Sequence, residues 1–505
     1  MTEPSVMPTP TSVAPVVDST AGANVTAASS ATAVGASALT PTECRRARLA
    51  RDARFDGRFF IGVSTTGIFC RPICAATPPL EHNVRYFDSA IAAVGAGFRP
   101  CLRCRPDSAP GSSAWRGVET TLTRALRLIH EGELQRGSVG GLCSRLGISE
   151  RYLRHLFQHR FGVAPKAYAL YRQCLFAKQL LHQTTLPVTR IAYASGFSSL
   201  RRFNDAFKRQ MTIAPTDIRR DASSDDALTL KLSYRPPYAW ERLRHFHRLH
   251  VIDGLEWINE HAYGRTLLMG AVRGEFTAVH VPAHHRFDVT VKLDDLSVLD
   301  SVVQRIRQVL DLDADITTIE NHLQSALPTL ALQHGLRIPG LWSPFEAGVR
   351  GILGQHVSIA AATRLIQRLV DELGDGHANR EADAPGTHDA SSLTRRDFPT
   401  PEAVAQSDLA FLGMPARRRE TLIRFASAYR DAEIGDDPDD WTQLKGIGPW
   451  TAAVARFRGL NDPDVWLAGD VGIKRALRGL ESPVEPTAAA PWRSYLTLQL
   501  WNAVI

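Results

Sequence analysis

Apolar positions recur at helical spacing from Val118 to about Arg220. Within Val139–Phe157, Leu142, Leu146, Ile148, Leu153 and Leu156 share a core-facing side, Gly147 supplies a turn, and Ser149 is suited to cap the helix after it. The stretch Val188–Phe207 repeats this layout with its turn at Gly196, and a helix around Pro165–Leu181 joins the two copies. After a polar linker, Asp221–Ala227, strand-like runs occupy Leu228–Ser233, Thr266–Ala271, Thr277–Val281 and Phe287–Leu293. Leu296–Leu310 is an amphipathic helix with Leu299, Val302, Val303, Ile306 and Leu310 on one face, and from Ile316 the pattern is mainly helical. Gly374–Arg396 is polar and reads as a surface insertion. Residues 1–42 are rich in Ala, Thr, Ser and Pro with few charges, which predicts a disordered tail. The pattern divides the chain into this tail, a cysteine-rich module (43–109), an all-α domain (112–221), an α+β domain (228–315) and a second all-α domain (316–505). The expected fold is therefore multidomain and mainly α with α+β parts.

A length of 505 residues suits several domains, and 44% hydrophobic content suffices for ordinary cores. No apolar run approaches the length of a membrane span, so no membrane partner is expected. The net charge of +7 leans towards an anionic partner. Seven cysteines, four of them tightly clustered and none following a secretory signal, favour metal or thiol chemistry over disulfides.

Those four are Cys70, Cys74, Cys101 and Cys104. Two short-spaced pairs separated by a longer excursion suit tetrahedral zinc held by thiolates, and spacing alone favours a zinc that only staples a module too small for its own core. The flanking segments Phe55-Asp56-Gly57, Thr65-Thr66-Gly67-Ile68-Phe69-Cys70-Arg71-Pro72 and Gly97-Phe98-Arg99-Pro100-Cys101 resemble the N-terminal domain of the Ada methylation-response regulators. The resemblance implies one Zn2+ on the four cysteines, with Cys70 as acceptor of a methyl group from a methylphosphotriester in DNA. Arg71 and Arg99 are expected at the phosphate. Ala75-Ala76-Thr77 departs from the family, which carries basic residues there.

The duplicated helix–turn–helix units resemble the AraC-type DNA-binding domain, whose second helices enter successive major grooves. In the first copy Arg151 and Arg154 are the expected DNA contacts, and in the second Arg201 and Arg202. The family's second methyltransferase domain is marked by Pro-Cys-His-Arg. That motif is absent and no cysteine follows Cys174, so thiol repair of O6-methylguanine is not expected.

The stretch Leu444-Lys445-Gly446-Ile447-Gly448 is a turn between two helical patterns. Gly446 and Gly448 allow backbone N–H groups to approach a phosphate, and Asp470 follows ahead of Ile473-Lys474-Arg475. Asp470 there also fits a plain helix N-cap. With Trp450-Thr451-Ala452, these residues resemble the hairpin–Gly/Pro–Asp superfamily of DNA base-excision glycosylases, most closely the AlkA-type 3-methyladenine glycosylases. The resemblance implies that Asp470 stabilises the charge that develops on the sugar, and that Trp450 and Trp501 wall an electron-rich base pocket. It places Val454 and Val471 where tyrosines are expected, predicting a roomier pocket. The lyase-competent relatives carry a lysine where Trp450 stands, so an intact abasic product is expected. Gln355 and His356, after Trp342-Ser343-Pro344-Phe345-Glu346, fall in the segment that enters the minor groove, with His356 in place of a leucine wedge. A monovalent cation held by carbonyls near Thr442, Leu444 and Gly446 is a further expectation. Tyr234-Arg235-Pro236-Pro237-Tyr238-Ala239-Trp240 resembles the start of the AlkA N-terminal domain, for which a scaffolding role is expected.

Together these resemblances imply a fusion: a monofunctional glycosylase for alkylated bases joined to a methylation-sensing transcriptional activator. The implied partners are double-stranded DNA and RNA polymerase, in a cytoplasmic, nucleoid-associated setting. The alternative is a transcription regulator whose glycosylase-like half binds DNA without excision.

Overall fold

The computed structural model describes residues 39–52, 55–56, 58–74, 76–88, 90–101, 104, 120–218, 228–377, 394–480 and 482–504. The tail as far as residue 38, the linker 221–227 and positions 378–393 of the insertion lie outside the described residues. Order begins before residue 43: Thr40 and Glu43 form a reciprocal capping box at the start of α1 (Pro41–Leu49).

The cysteine-rich module continues with β1 (Phe60–Val63), β2 (Ile68–Cys70), β3 (Val84–Phe87), α2 (Ala90–Gly95) and β4 (Arg99–Pro100). Its sheet runs β3-β1-β2-β4. β2 and β4 are parallel, with Ile68 opposite Arg99 and Phe69 opposite Pro100. Phe60, Phe69 and Phe98 pack beneath the sheet beside Ala93.

The all-α domain comprises α3 (Thr120–His130), α4 (Glu133–Arg136), α5 (Val139–Leu146), α6 (Glu150–Phe161), α7 (Pro165–Gln183), α8 (Val188–Ala194), α9 (Leu200–Met211) and α10 (Pro215–Ile218). Gly147 and Gly196 adopt left-handed φ of 68° and 80°, which the turns require and other residues resist. Ser149 caps α6 by accepting from Tyr152 N, and Ser199 caps α9 in the same way from Arg202 N.

The α+β domain is a five-stranded antiparallel sheet of order β5-β9-β8-β7-β6. Its elements are β5 (Leu228–Ser233), α11 (Trp240–His250), β6 (Glu256–Ile258), β7 (Ala262–Met269), β8 (Val272–Val281), β9 (Arg286–Leu293) and α12 (Leu299–Val309). β7 begins earlier than its apolar run predicts and stops at Met269, because Gly270 (φ 63°) turns the chain into β8. Residues Leu296–Val298 form a 3-10 turn capped by Asp295, so α12 starts at Leu299. The helix α11 escapes the periodicity because Trp240–His250 is dominated by Arg and His, yet it buries Trp240, Leu243 and His247.

The C-terminal part contains α13 (Ile316–Ala326), α14 (Pro344–Leu353), α15 (Ile359–Leu373), β10 (Gly376–His377), β11 (Arg395–Arg396), α16 (Pro401–Gln406), α17 (Ala416–Arg430), α18 (Pro449–Gly459), α19 (Val471–Arg478) and α20 (Arg493–Asn502). Two cores sit here. One gathers around Phe345, Phe425 and Trp441, the other around Phe457, Tyr495 and Leu496. α14 is fastened to the sheet by a buried ion cluster. Arg265 Nη2 lies 2.9 Å from Glu346 Oε2, and Arg350 Nη2 lies 3.0 Å from Glu256 Oε2. No helix among the described residues is long and apolar enough to cross a membrane.

Candidate active site and metal centre

Cys70 ends β2 and Cys101 follows β4, so the parallel pairing of these strands sets the two thiols side by side. Cys101 N donates to Phe69 O at 2.9 Å. A turn in which Cys74 N donates to Arg71 O brings in Cys74, and Arg71 N donates to the sulfur of Cys104 at 3.3 Å. All four sulfurs lie within 4.8 Å of one another. Tetrahedral zinc at about 2.3 Å from each sulfur places sulfurs roughly 3.8 Å apart, so the quartet fits that ion. Without an ion, hydrogen bonding from the Cys70 thiol to Cys101, Cys104 and Cys74, together with burial, pushes that thiol up. Four thiolates this close require a cation between them, and one Zn2+ is the cofactor of this module. The guanidinium of Arg71 is committed to this frame. It pairs with Asp56 and donates to Cys104 O at 3.2 Å. Arg99, on β4, is part-exposed.

In the all-α domain Arg151 and Arg154 lie exposed on α6, and Arg201 and Arg202 exposed on α9. Each pair begins within the first turns of the second helix of its unit, where recognition helices meet base edges.

The hairpin follows a 3-10 turn, Pro438–Gln443, and leads into α18 with Gly448 as N-cap and Pro449 at its first position. Gly446 has φ 100°, and a Cβ there would meet Thr421 Oγ1 at 2.2 Å. Gly448 faces open space, so an incoming phosphate could approach its backbone. Gln355 does not point outward. Its side-chain nitrogen donates to Gly446 O at 3.2 Å and to Thr451 Oγ1 at 2.8 Å, tying the loop after α14 to the hairpin. His356 beside it is exposed, with φ 57°. Of the carbonyls expected around a monovalent cation, Leu444 O accepts from Ile447 N and Gly446 O from Gln355.

Asp470 is the N-cap of α19, its Oδ1 accepting from Ile473 N at 3.1 Å. The same oxygen accepts from Trp501 Nε1 at 3.0 Å. Capping and positioning thus use Oδ1, and no hydrogen bond occupies Oδ2 among the described residues. Gly472 makes the approach possible, because a Cβ there would lie 3.0 Å from Asp470 Oδ1 and 3.3 Å from Trp501 Cδ1. Trp450 packs at Gly469, immediately before the acid. Val454 is half-buried, while Val471 is 80% exposed.

The far side of Trp501 meets an element with no expected role here. Phe246 of α11 lies parallel to Trp501 (centroids 6.0 Å, planes 17°), and His250 stacks on Phe246 at 4.3 Å. The Arg458 guanidinium sits 4.9 Å from the Phe246 ring centre. The sheet domain thus packs against Trp501 through α11. Its sequence signal, a phenylalanine within an Arg/His-rich helix, was too weak to single out.

Three family models match the chain: the metal binding domain of Ada over residues 43–107, a helix-turn-helix domain over 142–221, and the AlkA N-terminal domain over 229–343. A "probable bifunctional transcriptional activator/DNA repair enzyme AlkA" of Mycobacterium tuberculosis (strain ATCC 25618 / H37Rv) is 36% identical over 91% of this chain and 96% of its own length. "DNA-3-methyladenine glycosylase 2" of Escherichia coli (strain K12) is 32% identical over 54% of this chain and 95% of its own. The "bifunctional transcriptional activator/DNA repair enzyme Ada" of the same strain is 38% identical over 26% of this chain and 36% of its own. These matches define the class: a metal-binding Ada module and a helix-turn-helix domain fused to an AlkA-type repair domain. The chain belongs to the family of bifunctional transcriptional activator/DNA repair enzymes of the Ada/AlkA type.

Proposed function

We propose that the chain excises alkylated bases, 3-methyladenine foremost, from duplex DNA by hydrolysing the N-glycosidic bond. The observation that carries this reading is the Asp470 carboxylate, with Oδ1 held by Ile473 N and Trp501 Nε1, Trp450 packed at the preceding Gly469, and Phe246 parallel to Trp501. A flipped nucleotide would lay its base against these rings. The glycosidic bond breaks with its electron pair going to the base, which leaves neutral because alkylation had made it cationic. Positive charge passes to the sugar, where a fixed carboxylate is most stabilising. Water adds at C1′ and loses a proton, leaving an abasic site. No lysine stands at position 450 to form a Schiff base, so the strand remains uncut.

Cys70 is the proposed methyl acceptor. Its thiolate attacks the methyl carbon of a methylphosphotriester, forming S–CH3, and the electron pair of the broken O–CH3 bond stays on the phosphate oxygen. Zinc, when bound, keeps the sulfur deprotonated at neutral pH. Methylation removes one negative charge from a four-thiolate site, which strengthens its attraction to DNA and supports a switch to transcriptional activation with RNA polymerase as partner.

The test is release of 3-methyladenine and 7-methylguanine from methylated duplex by the wild type and by Asp470→Asn. Release by the wild type alone is expected. Release by both moves the acid elsewhere, and release by neither, from protein that binds DNA, sinks the glycosylase reading. Peptide mass spectrometry should find a single methyl on Cys70, and its absence would leave zinc as a staple.

A further inference from the structure

The helix α3 presents Arg124 and Arg127, and the turn after it Glu131, to the C-terminal half of the chain. Arg124 Nη1 lies 3.5 Å from Asp437 Oδ2, and Arg127 Nη1 lies 3.9 Å from Asp436 Oδ2. Arg127 also reaches Glu131 at 3.4 Å, and Glu131 pairs with Arg305 of α12 at 3.1 Å. Ser301 donates to Glu131 O at 3.1 Å, and Gln135 donates to the buried Asp300 at 2.9 Å. On the far side the Tyr429 hydroxyl donates to Asp436. A continuous polar chain thus runs from α12 through α3 to α17. Beneath it, residues of α3–α10 and of the sheet domain form one hydrophobic core.

Asp436 and Asp437 open the arm that carries the hairpin. Asp437 caps the 3-10 turn Pro438–Gln443, and Trp441, fully buried, donates to Gly435 O at 2.8 Å. Gly446 and Gly448 follow. Asp436, Asp437, Asp439 and Asp440 therefore lie in the segment just before the Gly446/Gly448 turn, and uncompensated carboxylates would repel a phosphodiester brought within a Debye length. Arg456 of α18 reaches Asp439 at 3.3 Å. Asp436 and Asp437 are met by Arg127 and Arg124 of the other domain.

We propose that α3 of the helix-turn-helix domain is a brace for the hairpin of the repair domain: Arg124 and Arg127 neutralise and hold the acidic arm, so the DNA grip of the repair half depends on the regulatory half. This rests on the reading of the hairpin as the phosphate-binding element of a glycosylase. The two arginines support DNA binding without lying in the base pocket.

The experiment uses the full chain and a methylated duplex of about 12 base pairs, too short for two recognition helices in successive major grooves. Arg124→Glu/Arg127→Glu is expected to raise KM roughly tenfold, with kcat within about twofold and the effect fading in high salt. Arg124→Lys/Arg127→Lys, which keeps the charge, should stay within about twofold of wild type. An unchanged KM in the Glu pair overturns the brace. So does a Lys pair as impaired as the Glu pair, since shape rather than charge would then be at work. Should the Glu pair fail to fold, Arg124→Ala/Arg127→Ala carries the test, with about a threefold rise in KM expected and no rise overturning the proposal. A wild type that releases no base at all would fail the glycosylase reading instead.

Discussion

Trp501 donates its indole N–H to Asp470 Oδ1 at 3.0 Å, so a residue of the last helix fixes the carboxylate that caps α19. The bond and the aromatic wall are separable. Trp501→Phe keeps a ring and removes the donor. A hydrogen bond to a charged group contributes about 1.5–3 kcal/mol, so kcat for 3-methyladenine release should fall roughly 10- to 100-fold with KM little changed. If the loss falls on KM instead, Trp501 acts through stacking alone.

Phe246 offers the complementary case. Its ring lies parallel to Trp501 but touches neither Asp470 nor the hairpin by any hydrogen bond. Phe246→Ala should raise KM several-fold for cationic bases, by about 1 kcal/mol of lost stacking, and Phe246→Tyr should retain activity. Steady-state excision from duplexes carrying 3-methyladenine checks this, and an unaltered KM in the alanine variant would remove Phe246 from the pocket.

The buried quartet Glu256, Arg265, Glu346 and Arg350 is sensitive to losing one member. Glu346→Ala leaves Arg265 and Arg350 sharing one carboxylate, and breaking a buried pair in this way costs about 3–5 kcal/mol. Urea titration followed by tryptophan fluorescence should show the repair half unfolding at distinctly lower denaturant. Glu346→Gln should be milder because it keeps an acceptor.

Acid should weaken the fold, in the helix-turn-helix domain as well as in the sheet domain, before it reaches the usual carboxylate range. Burial holds His130, His247 and His250 down at about 3, from an ordinary value of 6.5. Between these values the unfolded chain binds protons that the folded chain does not, so stability is full above about 6.5 and falls as pH drops towards 3. At pH 5 the loss is about 2 kcal/mol for each histidine. Asp311, pushed up to about 6 by burial, works the other way, and so does Asp300, but three histidines outweigh them. The tryptophan-monitored melting temperature should therefore fall from pH 7 to pH 5, and the fall should shrink in His247→Phe. A flat profile would mean that these imidazoles are hydrated.

Much of the site chemistry is local and so legible before folding. The cysteine spacings carry the metal centre because thiolate geometry limits loop length. Gly147, Ser149 and Gly196 announce the helix–turn–helix units because left-handed turns and N-caps are short-range demands. The Gly446/Gly448 turn with Asp470 is legible for the same reason, and Asp470 both caps α19 and accepts from Trp501.

Other features depend on which distant surfaces meet. No local pattern says that β2 pairs parallel with β4 and so aligns Cys70 with Cys101. Nor does periodicity reveal that Phe246 reaches Trp501, that Gly472 sits where a side chain would crowd Asp470 and Trp501, or that Arg71 turns inward to Asp56. The docking of α3 on the hairpin arm belongs with these, since Arg124 and Arg127 look like any exposed basic residues along a helix. By itself the sequence determined the modules, their order and the metal ligands, because caps, turns and ligand spacings act over a few residues. The tertiary structure decided the walls of the pocket and the seam between the halves, because packing free energy depends on contacts between residues far apart in the chain.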